Sequence, residues 1–188
     1  MEAPAPFRFT RELYHRMGRE GLFDGLKVEL LDGEIIRMSP QDSRHAWGVH
    51  RILYAFARAM GEAFVVRAQV PIVLDDQSEP EPDIAICEPT AGDYLDEHPH
   101  ASQVLLVVEV AGSSLGYDRS AKALAYARSG IRTYVIANLP DRTLEVKTEP
   151  ERDAGRYART TTLREGDDLT LPGSVRVPVS TLLPPREQ

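Results

Sequence analysis

The segment Val104-Leu105-Leu106-Val107-Val108-Glu109-Val110 constrains the fold more than any other stretch of the chain. A short, near-continuous apolar run rich in β-branched residues is the pattern of a strand covered on both faces, which calls for layers on either side of a sheet. Its longest uninterrupted part, Val104 to Val108, is far too short to span a bilayer. The run also contains an anomaly. Glu109 places a carboxylate in the apolar stretch, where burial costs on the order of several kcal/mol unless it is paired or bound to a cation. A strand end at which Glu109 reaches solvent or meets an arginine reads equally well from this position alone.

Around this strand the chain alternates helix and strand signals. Thr10 is an N-cap for a helix over Arg11 to Arg19, ending near Gly21. Lys27–Leu31 and Glu34–Met38 are joined by Asp32-Gly33, a strong hairpin signal because the turn requires φ > 0. Ser43 to Met60 carries Trp47, Ile52, Leu53, Phe56 and Ala57 at the spacing of a buried helical stripe. Phe64–Arg67, Gln69–Leu74 and Asp83–Cys87 predict strands, and residues 88–102 a loop with a short helical turn. After the Val104 strand, Asp118 caps a predicted helix over Arg119 to Ser129, with Gly130 at its end. Ile131–Ala137 and Thr143–Lys147 are further strands. The order predicts an α/β fold with a mixed sheet. One domain spans 1–188, with a core over about 10–147 and a C-terminal β-extension over 150–188.

Composition limits the partners and the compartment. The formal net charge of −7 excludes a broadly basic, phosphate-coating surface. It suits a site that gathers carboxylates around a divalent cation. One cysteine, Cys87, excludes an internal disulfide and a multi-thiolate zinc site, and its simplest reading is a core thiol. Met1-Glu2-Ala3-Pro4 shows no secretory pattern, so the expected compartment is a reducing cytoplasm.

The informative residues are charges out of place. Asp83 follows Pro82 at the start of an apolar strand, so Asp83 and Glu109 can meet at one sheet edge. Two or three oxygens plus waters are what Mg²⁺ asks for; on its own, Asp83 also reads as a strand end facing water. Lys122 lies on the helix after the Glu109 strand. With Asp118 four residues before it and Tyr126 a turn later, it occupies one helix face. An exposed Asp118–Lys122 pair is the plain alternative; a lysine steadying charge at a phosphate is the functional one. Glu34 shares a hairpin face with Ile36 and Met38 and so points inward if that face is covered, although an exposed hairpin residue is the commoner case. His45 and His50 are five apart, about 140° apart on a helix, and make no zinc pair. Gly112-Ser113-Ser114-Leu115-Gly116 has the form of a nucleophile elbow. All five histidines precede Ser114, however, which is the wrong order for that hydrolase fold, so the glycines read as a tight turn.

Taken in order, Glu29-Leu30-Leu31-Asp32-Gly33-Glu34-Ile35, Ser39-Pro40, His45, Pro82-Asp83-Ile84, Glu109-Val110 to Ser114, Asp118, Lys122, Tyr126-Ala127, Gly130 and Tyr134 resemble the Uma two family. These are bacterial restriction-endonuclease-like proteins with the PD-(D/E)XK nuclease fold. The resemblance runs over about 10–147, more weakly to the end. It implies a mixed β-sheet flanked by helices, with an N-terminal β-hairpin, and a Mg²⁺-dependent endonuclease acting on DNA, with Mn²⁺ as a substitute. Asp83 matches the motif aspartate and Glu109 the following acid. The usual lysine two residues on is absent, since that position is Ala111, and Lys122 matches its replacement on the helix. Glu34 matches an additional acid and His45 a motif histidine. Asp83, Glu109 and the Val110 carbonyl would hold the metal. The chain departs from the family at Gly112–Leu115, the turn beside the site, and at Thr133–Asn138, where the change bears on local packing or substrate contacts more than on metal binding. A catalytically inactive nucleic-acid or protein-binding module on the same fold, and a metal phosphodiesterase for small substrates, remain alternative functions. Cutting both strands would need two sites, which leaves room for a homodimer. The acidity then implies metal-dependent binding, with Arg51, Arg67, Arg119 and Arg128 as a local positive rim.

Overall fold

A computed structural model describes residues 5–185; the reading of Met1–Pro4 lies outside them. The predicted elements form around a six-stranded sheet of order β3-β4-β5-β6-β7-β8. Its strands are β3 (Val65–Ala68), β4 (Ile84–Cys87), β5 (Val104–Ala111), β6 (Thr133–Asn138), β7 (Thr143–Glu151) and β8 (Arg156–Leu163). Only β5 and β6 pair in parallel, with Glu109 opposite Ile136, and this is where the chain crosses over through helices. β5 is central and buried, as its apolar run requires.

Pleat alternation divides β5 between two cores. Leu106, Val108 and Val110 face helix α2 (Ser43–Met60), which buries Val49, Ile52, Phe56 and Met60 against them. Gly48 lets α2 approach closely, since a Cβ there would sit 2.8 Å from Val110 Cγ1. Val107 and Ala111 face Tyr126, Tyr134 and Ile136 on the other side. Glu109, two residues from each, shares that second face.

Helix α1 (Arg11–Arg19) starts at Thr10, whose hydroxyl accepts from the Leu13 N–H. Strands β1 (Val28–Leu31) and β2 (Glu34–Arg37) form the hairpin, with Asp32 and Gly33 both at positive φ in the turn.

Two expectations need correction. Gln69–Leu74 is not a strand. Gln69 adopts φ +54°, and its N–H turns back to the Pro82 and Asp83 carbonyls. The helix expected from Arg119 begins earlier: α3 (Leu115–Tyr117) runs through a π turn (Asp118–Lys122) into α4 (Ala123–Ser129). Asp118 is therefore inside the helical run, not its cap. The β-structure expected after residue 150 is present, and β8 pairs with β7 to join the main sheet. Beyond it, β9 (Asp168–Thr170) and β10 (Arg176–Pro178) pair with each other, and Leu169, Leu171, Val177 and Leu182 join the core under α2. Among the described residues, no helix is long and apolar enough to cross a membrane.

Candidate active site

Beside β5 lies a cleft of about 290 Å³, lined by Asp83, Glu109, Lys122 and His45 together with Asp118, Tyr117 and the Met38–Asp42 loop. Glu109 is the buried anomaly of the central strand, 3% exposed. Two donors meet on its Oε1: Lys122 Nζ at 2.9 Å and Tyr126 Oη at 2.7 Å. The turn-by-turn face of Lys122 and Tyr126 is what aims both at β5. Burial pushes the Glu109 carboxyl up to about 8; Asp83, Asp118 and Glu29 push the same way, and Lys122 pulls against them. Burial alone would lower the Lys122 ammonium, but Glu109, Glu29 and Asp118 outweigh it and hold the group above its ordinary value.

Asp83 stands immediately before β4, which pairs with β5. Its Oδ2 accepts from the Val110 N–H at 2.8 Å. Its Oδ1 faces His45 Nε2 at 3.0 Å and accepts from Gln69 Nε2 at 3.2 Å. Burial works to raise this carboxyl, yet the bonds from His45, Val110 and Gln69 prevail, and Asp83 stays below the usual carboxylate range. His45 is correspondingly raised, first by its bond to Asp83. It reaches Asp83 from the first turn of α2, where Asp42 caps the helix by accepting from the His45 N–H. The two carboxylates thus have opposite environments: Asp83 is held ionised by donors, whereas Glu109 is pushed toward its protonated form.

Four of the five expected side chains, Asp83, Glu109, Lys122 and His45, come together here, and the Val110 backbone touches Asp83. Glu34 does not join them. Its side chain is 60% exposed and pairs with Arg8 at 2.6 Å. The hairpin acid that enters the cluster is Glu29, with a fully buried side chain. Glu29 lies opposite Ile36, so Glu29 and Glu34 leave the hairpin on the same face; Glu34 sits at the turn, beyond the cleft. Glu29 Oε2 accepts from the Glu81 N–H and lies 3.6 Å from Lys122 Nζ. Its signal was in the sequence: a carboxylate within Val28-Glu29-Leu30-Leu31 is the same anomaly as Glu109. Asp118 was also missed as a site residue. It is buried, accepts from Ser114 Oγ at 2.7 Å and is raised by burial. The exposed-pair reading of Asp118 and Lys122 fails, because both are buried. Ser114 thus serves Asp118, as expected of a turn and not of a nucleophile. Cys87 is a buried core thiol, pushed up to about 12.

The arginine rim takes a different form. None of Arg51, Arg67, Arg119 and Arg128 lines the cleft. Arg51 donates to the Thr181 carbonyl, Arg67 approaches His98, Arg119 grips Glu145, and Arg128 lies near Asp32. The lining cations at the mouth are Lys27 and Arg37.

The donor set fits a divalent cation. Among the described residues, no three carboxylate, imidazole or thiolate side chains form a preassembled cage. Mg²⁺ asks for less, since it commonly takes one or two carboxylates and keeps its waters. Glu29 Oε1 is buried with no hydrogen-bond partner, and the cluster holds more carboxylates than ammonium groups. A buried oxygen left this way calls for a water or an ion.

A family model for Uma2 (Uma two), described as "Putative restriction endonuclease", matches residues 11–180. The chain belongs to the Uma2 family. No curated protein matches it. Among solved structures, the fold of this Uma2 member resembles that of a protein from Anabaena variabilis described as a "putative nuclease belonging to DUF820". The TM-score is 0.69 at 11% identity, covering 94% of this chain and 97% of the other. The nuclease-like mixed α/β fold expected of a Uma2 chain is therefore present.

Proposed function

We propose that this chain is a Mg²⁺-dependent endonuclease that hydrolyses DNA phosphodiester bonds. The observation that carries the reading is the buried Lys122–Glu109 pair beside Asp83, opening on a cleft with Lys27 and Arg37 at its mouth. Membership of a family described as a restriction endonuclease supports it.

Asp83, Glu109 and the Val110 carbonyl would hold the cation. When bound, the cation supplies Lewis acidity toward the phosphate and a more acidic water. The remaining tasks fall to the protein. Asp83 presents a carboxylate that His45, Gln69 and the Val110 N–H fix in place. Tyr126 and Lys122 orient Glu109, and the Lys122 ammonium steadies negative charge that grows on the phosphate during attack. Its buried setting strengthens that interaction relative to water. Glu29 keeps Lys122 charged. Lys27 and Arg37 contact flanking phosphates. A cytoplasmic location, Mn²⁺ as a substitute and a homodimer for cutting both strands belong to the same proposal.

The test is cleavage of single-stranded, duplex and supercoiled DNA, of RNA, and of a nitrophenyl phosphodiester, each with Mg²⁺ or Mn²⁺. Wild type cuts DNA, and Asp83→Asn, Glu109→Gln and Lys122→Ala each lose about 100-fold or more. Variants that cut as fast as wild type overturn the site. Cleavage of the small diester alone assigns a phosphodiesterase, and DNA binding without any cleavage assigns a binding module.

A further inference from the structure

The helical run after β5 departs from α geometry at one place, and that place carries the lysine. Tyr117, Asp118 and Lys122 all line the cleft. In a regular α-helix Tyr117 and Lys122, five apart, would point about 140° away from each other. The π turn over Asp118–Lys122, whose hydrogen bonds join residues five apart, narrows this offset. A π turn is a rare and less favourable geometry, so something must hold it. The group in position is the Tyr134 hydroxyl. It is fully buried and donates to the Asp118 carbonyl at 3.0 Å. Were the turn to relax, a buried hydroxyl would lose its acceptor, at the cost of its desolvation.

We infer that Tyr134 is a positioning residue: by holding the Asp118 carbonyl, its hydroxyl maintains the π turn that sets Lys122 against Glu109. This rests on the nuclease reading for its catalytic consequence, though not for its structural one. Tyr134 is well placed for the task. It stands on β6 opposite Val107, two residues from Glu109 on the same strand, so both ends of the Lys122–Glu109 contact refer to one rigid pair of strands. Its ring also packs 4.9 Å from that of Tyr126, which holds the same Glu109 oxygen. Tyr157 provides an internal control. It too is a tyrosine whose hydroxyl donates to a backbone carbonyl, that of Ile131, but away from the cleft.

The experiment compares Tyr134→Phe and Tyr157→Phe in the full chain by hydrogen exchange and by steady-state kinetics. Tyr134→Phe accelerates exchange of the amides at 118–123 by about tenfold or more, and Tyr157→Phe leaves them unchanged. With DNA and Mn²⁺, Tyr134→Phe lowers kcat about 10- to 100-fold at a KM within about twofold of wild type, the mark of misplaced chemistry and not of lost binding. The exposed Ser120 hydroxyl also bonds this stretch, donating to the Gly116 and Tyr117 carbonyls. Ser120→Ala leaves exchange at 118–123 and kcat within about twofold of wild type, and this variant decides the matter if Tyr134→Phe does not fold. Unchanged exchange at 118–123 in Tyr134→Phe, equal effects of the two tyrosine variants, or a loss in Ser120→Ala of about tenfold or more overturns the inference. If wild type cleaves nothing, the nuclease reading fails, and the exchange comparison alone judges the role of Tyr134.

Discussion

The two faces of the central sheet are built from different materials. Under α2 the core is aliphatic, with Phe56 as its one buried aromatic and no ionisable group among its buried members. Under α4 the core contains Tyr126 and Tyr134 and runs directly into Glu109, Lys122 and Asp118. A chain of this size gains nothing in stability from burying charge where leucine would serve, since a buried ion pair is on average no better than an apolar replacement. The contrast teaches that the first face holds the fold together, whereas the second is arranged around chemistry.

The largest expected effect separates the two faces most sharply. Lys122→Ala leaves Glu109 and Glu29 buried without their cation, costing about 3–5 kcal/mol of stability, and abolishes cleavage. Phe56→Ala costs about 3–5 kcal/mol through the cavity it leaves, yet the molecules that remain folded cut at the wild-type rate. Urea unfolding with activity per folded molecule distinguishes them; full activity in Lys122→Ala would erase the distinction.

Next in size is a comparison within the hairpin. Glu29→Gln lowers cleavage about 10- to 100-fold because Lys122 loses an anionic neighbour. Glu34→Gln alters only an exposed pair worth ~0–1 kcal/mol and leaves cleavage intact. The reverse ranking would return Glu34 to the site.

A pH series sharpens the contrast between the carboxylates. The folded Glu109 keeps its proton to about 8, against an ordinary value of 4.5. Between these values the native state binds the extra proton, so this group makes the metal-free protein less stable as pH rises. Asp83, lowered in the fold, acts with the opposite sign: its contribution is present above its ordinary value and is lost as pH falls through the folded one. Thermal melts in chelator from pH 5 to 9 show the decline, and Glu109→Gln flattens it. Added Mn²⁺ stabilises more strongly toward pH 9, where Glu109 is deprotonated for the metal. A decline unchanged in Glu109→Gln would assign it elsewhere.

The smallest effect lies on the aliphatic face. Gly48→Ala forces a methyl against Val110 and costs about 1–3 kcal/mol by overpacking. Cleavage falls only as far as α2 shifts His45 from Asp83.

Much of the fold was legible because its signals are local. The Thr10 cap and the Asp32-Gly33 turn need only neighbouring residues, and both are present. The helix over Ser43–Met60 also forms, with Ile52 and Phe56 of the expected stripe buried, but Ala57 is exposed, and Val49 and Met60 complete the buried face. Gln69 was not legible as a break, because positive φ at a non-glycine is imposed by its bonds to Pro82 and Asp83. The π turn was hidden for a related reason. The helical run is too short for a one-residue shift in its apolar spacing to stand out, and the turn is held by Tyr134 from another strand. The C-terminal β-extension was legible as β-structure, but its alternation was too weak to show that β8 joins the main sheet, since most of its residues are exposed and its place comes from pairing with β7.

By itself the sequence determined that a carboxylate, Glu109, lies within the apolar run of a central strand, and it left burial and a solvent-facing strand end equally open. Only the tertiary structure decided which acids and cations meet. Glu29 and Glu34 share one face of one hairpin, and their separation along it puts one beside Lys122 and the other in water. That choice depends on where the hairpin crosses the sheet, a relation between distant segments that no local pattern carries.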